Sequence, residues 1–290
     1  MSAIKIVITG ANGQLGKEFQ QISIAYPQFD FTFLSKEDLS IQDAEQVRHF
    51  FNIAKPTHCI NCAAYTAVDK AETEEEIAFL VNGESVGVLA AACKSAGTKL
   101  IHISTDYVFD GNSAKPLKED DATKPINVYG ASKLRGEALA LQNNEESMII
   151  RTAWLYSAFG NNFVKTMIRL MREKKSINVV NDQVGSPTYA ADLAKAILHI
   201  IHSGKFIPGV YHYSNEGQIS WYDFAVAIKE LTGSDCQINP IPGSKYPTPA
   251  KRPDYSLLDK TKIKTVYGIA VPDWRSGLSR CLDQLKKEEM

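Results

Sequence analysis

The sequence predicts an α/β protein built on a doubly wound parallel sheet, with a smaller C-terminal lobe. Three observations carry that reading. Short β-branched apolar runs alternate with amphipathic stretches from the first residues to Ser104. The crossovers between runs are long enough to hold a helix, as parallel strands require. The first run opens into a glycine-spaced turn, Gly10-Ala-Asn-Gly13-Gln-Leu-Gly16.

In chain order, Ile4–Thr9 reads as a strand buried on both faces. An amphipathic helix follows the glycines to Ile24, and Phe29–Leu34 is a second strand. Residues 43–54 read as a helix and 57–63, after Pro56, as a third strand. A long helix is expected over 72–95, with an acidic start that suits the helix dipole and Gly97 as its cap. Residues 100–104 form the fourth strand. A polar loop with Pro116 and Pro125 leads to a helix carrying Tyr129, ending near Asn143. Further on, Met148–Thr152 is a strand, Phe163–Glu173 a helix and 177–180 a strand; 182–188 is a turn-rich connector. Residues 191–202 read as a helix, 209–213 as a strand and 221–231 as a helix. Residues 240–253 hold five of the chain's twelve prolines and read as a loop; 273–287 is a final helix. The expected organisation is a nucleotide-binding domain over 1–155, rejoined by 161–180 and parts of the later chain. Residues 181–290 form most of an interleaved substrate-binding lobe.

Composition excludes several classes. A net charge of −1 without a basic run offers nothing to nucleic acid or an anionic membrane. No apolar stretch approaches the length of a membrane span, and the N-terminus enters a strand directly. The five cysteines are an odd number, and Cys59-Ile-Asn-Cys62 falls inside an apolar strand, which suits packing better than redox chemistry. The six histidines form no metal set. A cytoplasmic, soluble, reduced protein is expected, monomeric or homodimeric.

Chemistry concentrates at strand ends. Glycines 10, 13 and 16 sit where a dinucleotide pyrophosphate would meet the strand-to-helix turn of a Rossmann-like fold. Their spacing is G-x-x-G-x-x-G, not the commoner G-x-G-x-x-G. Strand two ends at Ser35-Lys36, where an acid would grip the ribose of NAD; a hydroxyl and a cation suit the 2′-phosphate of NADP instead. A solvated loop lysine has the same signature. Asp38-Leu39 could reach the adenine side, so the lean toward NADPH over NADH is slight. Ala63, Ala64, Tyr65 and Thr66 follow strand three, where small residues let a cofactor lie against backbone. Thr105 and Asp106 end strand four. Tyr129 and Lys133, four residues apart, share a helix face, and an ammonium one turn from a phenol lowers its pKa. With Thr105 holding a carbonyl and Tyr129 donating a proton, the set suits carbonyl reduction. Trp154 offers a flat wall to a sugar face, although core packing is the commoner use of tryptophan. Lys251-Arg252 suits a diphosphate clamp, or a solvated pair.

Seven further stretches go with these residues: Ala64-Tyr-Thr-Ala-Val-Asp-Lys-Ala-Glu72, Ser104-Thr-Asp-Tyr-Val-Phe-Asp-Gly111, Asn127-Val-Tyr-Gly-Ala-Ser-Lys133, Arg151-Thr-Ala-Trp154, Gly160-Asn-Asn-Phe163, Asn181-Asp-Gln-Val-Gly-Ser-Pro-Thr188 and Tyr246-Pro-Thr-Pro-Ala-Lys-Arg-Pro253. Spanning nearly the whole chain, they resemble the dTDP-4-dehydrorhamnose reductase (RmlD-type) family of the extended short-chain dehydrogenase/reductases. The resemblance implies reduction of dTDP-4-dehydro-6-deoxy-L-mannose to dTDP-L-rhamnose with NADPH or NADH. It implies Tyr129 as proton donor, Lys133 as its partner and ribose ligand, and Thr105 as the tuning hydroxyl. Gly13, Gln14, Leu15, Asp38, Leu39, Ala64, Tyr65 and Thr66 would line the cofactor, and Thr105, Asp106 and Trp154 would touch the sugar. Related dehydratases carry an Asp-Glu pair after the threonine; Asp106-Tyr107 lacks the glutamate, which argues for simple reduction. Some members dimerise through a divalent metal such as Mg2+, held by acids that include one in the helix after Ser-Pro-Thr. Here that helix opens Tyr189-Ala-Ala191, although Glu18 and Glu288-Glu289 remain, so a metal bridge is not expected. The rival readings are another nucleotide-sugar reductase or epimerase, and a non-catalytic NADP-binding regulatory subunit like that of methionine adenosyltransferase.

Overall fold

The computed structural model describes residues 3–288. In chain order the elements are β1 (Ile4–Thr9), α1 (Gln14–Ser23), β2 (Phe29–Leu34), α2 (Ala44–Ala54), β3 (His58–Asn61), α3 (Val68–Ala71), α4 (Glu75–Phe79), α5 (Ser85–Ala96) and β4 (Lys99–Thr105). Next come α6 (Val128–Asn143), β5 (Met148–Thr152), β6 (Leu155–Tyr156), α7 (Phe163–Glu173), β7 (Ser176–Val180), β8 (Val184–Gly185) and β9 (Thr188–Tyr189). The chain finishes with α8 (Ala190–His202), β10 (Gly209–His212), β11 (Ile219–Ser220), α9 (Trp221–Thr232), β12 (Gln237–Ile241), α10 (Thr261–Tyr267) and α11 (Trp274–Glu288).

Six strands form one sheet in the order β10-β5-β4-β3-β1-β2, and every pair in it is parallel. Strand alternation sends successive side chains to opposite faces. Ile6, Ile8, Ile60, Ile101, Met148 and Ile150 pack against α1, α8 and α10. Val7, Cys59, Leu100 and Ile149 pack on the other side against α2 and α5. That two-sided burial explains why the strands are near-continuous apolar runs. After β2 the chain crosses back over β1 to β3, so the order reverses between β1 and β3, which opens a crevice at the strands' carboxyl ends.

A second core joins α7, α9 and α11 to β7 and β12. It is separate from the sheet, whereas α8, α10 and β10 return to it. β12 corrects the expectation of a loop from Pro240: the strand pairs in parallel with β7, and Pro240 lies opposite Val179. The two strands make a sheet of their own, so both are edges, where a missing N–H is tolerated.

The long helix expected over 72–95 is present over 75–96, starting three residues later and carrying a π-turn within it. α3 stands apart, and between α4 and α5 the chain makes a π-turn at Leu80–Glu84. That turn places Asn82 against α6: its Nδ2 donates to Tyr65 O and Ser132 Oγ, both at 3.0 Å, and its Oδ1 accepts from Tyr65 N at 2.8 Å. The helix 75–96 is long and apolar enough to cross a membrane, against the expectation of no such stretch. Its apolar residues Val86, Leu89, Ala90 and Cys93 are instead buried in the core.

The contact between the π-turn and α6 is backbone-close. A Cβ on Gly136 would lie 2.0 Å from Asn82 O. Gly136→Ala is therefore expected to lower stability by about 1–3 kcal/mol in urea unfolding, the range for overpacking; an unchanged midpoint would show that the two segments are not locked together.

Candidate active site

At the carboxyl ends of the sheet lies a cleft of about 980 Å3, near the upper end of small-molecule sites. One end is the turn between β1 and α1. Gly10 has φ +67° and a Cβ there would meet Ala63 N at 2.5 Å, so backbone from β3 presses directly on the turn. Gly13 is the N-cap of α1 and offers no side chain, leaving the first-turn N–H groups uncapped by any side chain. Gly10, Gly13, Gln14, Leu15, Lys36, Leu39, Ala63, Ala64, Tyr65 and Thr66 all line the cleft. An uncapped helix start beside a wall of small residues fits a dinucleotide pyrophosphate.

Ser35 and Asp38 are not among the lining residues. The Asp38 carboxylate accepts from Ser35 N at 2.9 Å and from its hydroxyl at 2.7 Å. Those bonds hold Asp38 below the usual carboxylate range and tie its side chain to Ser35. Lys36, between them, is exposed and lines the cleft.

α6 supplies the other end. Asn127 caps it, its Oδ1 accepting from Gly130 N at 2.7 Å while its Nδ2 donates to Lys251 O at 2.7 Å. Tyr129, Lys133 and Glu137 then follow at helical spacing, so one face of α6 meets the end of β4. Tyr129 packs edge-on to Tyr107 at 5.7 Å, with the Thr105 hydroxyl close to its phenol; that hydroxyl donates to Asp106 Oδ1 at 3.1 Å. Lys133, 2% exposed, donates to Ile103 O at 2.7 Å and lies 3.3 Å from His102 Nε2. Below it, Glu137 accepts from Ser104 Oγ at 2.5 Å and from Arg151 Nη2 at 2.7 Å in a buried ion pair.

The electrostatics differ from the simple pairing of phenol and ammonium. Burial pushes Tyr129 up to about 12, partly opposed by the Thr105 hydroxyl, and Lys133 is not among the groups that shift it. Lys133 reaches past the phenol to the strand backbone. Burial pulls Lys133 down to about 8, against the opposing charge of Glu137. Burial also pushes Asp106 up to about 6, opposed by the neighbouring Ser256 and Thr105 hydroxyls, of which Thr105 donates to Oδ1 at 3.1 Å. Asp106 lines the cleft, and its buried Oδ2 has no hydrogen-bond partner among the described residues. A polar ligand group is the natural complement of such an oxygen.

Trp154 lines the cleft in a left-handed backbone conformation, φ +48°. It stacks on Trp221 with centroids 3.6 Å apart and 12° between planes, so tertiary packing holds the strained residue. Trp221 also lines the cleft and was not singled out from the sequence; the signal for it was the capping box Ser220–Asp223 that starts α9 beside it. Arg252 does not line the cleft. Its guanidinium forms a two-point pair with Asp69, both contacts 3.0 Å, and also donates to Ala250 O. The expected diphosphate clamp is thus engaged as a strut between the proline-rich segment and α3.

No group of three or more His, Cys, Asp or Glu side chains among the described residues is placed to hold a metal ion. The helix after Ser-Pro-Thr does carry an acid, contrary to its expected absence: Asp192, in the first turn of α8. It is buried, accepts from Arg280 Nη2 at 2.6 and 2.8 Å, and accepts from Asn215 at 2.7 Å.

A parallel sheet with a glycine turn at one end of its cleft and a Tyr-Lys helix at the other defines the class, a nucleotide-cofactor oxidoreductase. The chain matches the RmlD substrate binding domain family over residues 4–287. It is 41% identical to the dTDP-4-dehydrorhamnose reductase of Burkholderia thailandensis, covering 97% of this chain and 99% of that one. It is 40% identical to the spore coat polysaccharide biosynthesis protein SpsK of Bacillus subtilis, covering 97% of each. Among solved structures, the dTDP-4-dehydrorhamnose reductase of Bacillus anthracis in complex with NADP superposes with a TM-score of 0.93 at 40% identity, covering 97% of this chain and 99% of that one. The chain belongs to the dTDP-4-dehydrorhamnose reductase family.

The Arg151–Glu137 pair underpins the reactive face of α6. Removing one partner leaves a buried charge alone, so Glu137→Ala is expected to lose about 3–5 kcal/mol by urea unfolding; a loss below about 1 kcal/mol would place the pair among exposed, weak ones.

Proposed function

We propose that this chain reduces the C4 ketone of dTDP-4-dehydro-6-deoxy-L-mannose to dTDP-L-rhamnose, using NADPH in preference to NADH. The observation that carries the reading is one cleft with an uncapped helix start at one end and Tyr129, Thr105 and Asp106 at the other. When bound, the reduced nicotinamide supplies the hydride. Gly10, Gly13 and the first turn of α1 hold the pyrophosphate, and Lys36 meets the 2′-phosphate. Tyr129 stays a phenol across the neutral range and gives its Oη proton to the ketone oxygen as that oxygen gains charge. The Thr105 hydroxyl, which donates to Asp106 Oδ1 before the reaction, would turn to the phenolate left behind and steady it, and the Lys133 ammonium one turn away adds to that. Asp106 accepts from a sugar hydroxyl through its unpartnered oxygen, and the Trp154–Trp221 stack offers an apolar face to the deoxysugar. From the lobe built on β7 and β12, Trp221 joins the cleft wall; the other groups named come from the sheet's strand ends, α1 and α6.

Two measurements test the reading. With the sugar nucleotide present, Tyr129→Phe should lower kcat by about 100- to 10,000-fold while leaving NADPH affinity nearly unchanged. A variant with full turnover removes Tyr129 as the proton donor, and a wild-type protein that binds NADPH without turnover removes the substrate assignment. Lys36→Ala should raise KM for NADPH by roughly tenfold, one charge-assisted contact, and leave KM for NADH alone; equal effects on both would take Lys36 off the 2′-phosphate.

A further inference from the structure

Beneath Lys133 runs a chain of buried polar groups that the proposed reaction does not use. Thr9 Oγ1 on β1 donates to Asn61 Oδ1 at 2.7 Å, and Ala63 N donates to the same oxygen at 3.2 Å. Asn61 Nδ2 meets His102 Nδ1 at 3.0 Å. His102 Nε2 meets Lys133 Nζ at 3.3 Å, and that nitrogen donates to Ile103 O at 2.7 Å. Thr9, Asn61 and His102 are fully buried, out of reach of bulk water.

The proton inventory of this chain has one solution. A backbone N–H is always a donor, so the Asn61 atom facing Ala63 N is the amide oxygen. The amide nitrogen, also a donor, then faces His102, whose Nδ1 must accept. A neutral imidazole has one donor and one acceptor. The ring proton therefore sits on Nε2 and points at Lys133. An ammonium has only donors and meets that N–H head-on, whereas a neutral amine accepts from Nε2–H while still donating to Ile103 O.

We propose that His102 is a positioning residue, held by Asn61 as its Nε2–H tautomer, which seats Lys133 on the β4 backbone and favours its neutral amine. It thereby sets the upper pH at which the Tyr129–Lys133 pair works. Among the other groups facing Lys133, Glu137 on α6 acts in the opposite sense and favours the ammonium, while Cys62 at the end of β3, its thiol pushed up by burial, stays uncharged as Lys133 titrates. Arg151 on β5 reaches Lys133 only through Glu137, which it binds. Burial and the Lys133 charge keep His102 itself well below the ordinary histidine range, so the ring remains neutral while Lys133 titrates. The sign follows from these directions. Lys133 is charged at neutral pH and loses its charge through about pH 8, taking away its support of the phenolate.

The proposal rests on Lys133 serving Tyr129 as described above, so its first readout does not depend on turnover. In 15N-histidine NMR of the whole wild-type protein, the His102 ring, identified by the loss of its signals in His102→Gln and by its failure to protonate on acidification, should show an unprotonated Nδ1 and a protonated Nε2. Asn61→Asp places two accepting oxygens on the chain. One still takes Thr9 and Ala63, and the other draws the His102 proton to Nδ1, turning a lone pair toward Lys133. That variant should switch the tautomer and move the alkaline limb of kcat/KM upward by roughly one pH unit. A wild-type ring protonated on Nδ1 overturns the proposal whether or not Asn61→Asp folds. So does a switched tautomer with an unmoved limb. Absence of turnover in the wild-type protein would count against the reductase reading alone, with the tautomer still decided by NMR.

Discussion

The structure depends on α6 lying flush against the end of β4. Its inward face carries a phenol, an ammonium and a carboxylate at successive turns, a poor face for burial unless every group finds a partner. Each does. Tyr129 is met by Thr105, Lys133 by Ile103 O and His102, and Glu137 by Ser104 and Arg151. Because these partners sit on strands, the rotation and height of α6 are fixed by the sheet. A slip of one residue would strand a buried charge, at a cost of several kcal/mol. Gly136 and the π-turn permit the approach, and the polar ladder fixes its register.

The same burial decides the electrostatics of the site. A lysine one turn from a tyrosine in water would lower the phenol's pKa by simple attraction. In this interior the desolvation of the phenol is the larger effect and leaves Tyr129 protonated. Desolvation also weakens Lys133's hold on its proton, although a buried carboxylate lies one turn away. A group that must give a proton to a ketone at neutral pH gains from staying protonated until the substrate draws on it. The pair is thus a donor kept neutral by burial, with a nearby charge that matters chiefly once the phenolate forms.

The second lobe contributes shape. Trp154 leaves β5 in a left-handed conformation that a bulky residue adopts only when surrounding contacts impose it. The contacts are Trp221 stacked on its ring and Gly185 beneath it, where any Cβ would press into the indole. One aromatic comes from the sheet and the other from the helix of the separate core. The cleft wall therefore exists only when both halves are folded.

The sheet was legible in the sequence because its strands are buried on both sides, which leaves uninterrupted β-branched runs. The glycine turn was legible because spacing and flanking elements suffice to define it. Tyr129 and Lys133 could be placed on one face because 3.6-residue periodicity is local. What the sequence left open depends on partners remote in the chain. Arg252 is taken up by Asp69, 183 residues away. Pro240 lies in a strand because that strand is an edge, and edge status is a property of the sheet. The π-turn arises where Asn82 must reach Tyr65 and Ser132 together. Asn61 and His102 read as ordinary strand residues until β3 and β4 are laid side by side. The sequence by itself determined the strands of the main sheet, the helices beside them and which residue types stand at the strand ends, since these follow from local periodicity and burial pattern. Only the tertiary structure decided which polar groups pair, and hence which protons each one holds, because hydrogen bonds between buried groups are chosen by distances that the fold alone sets.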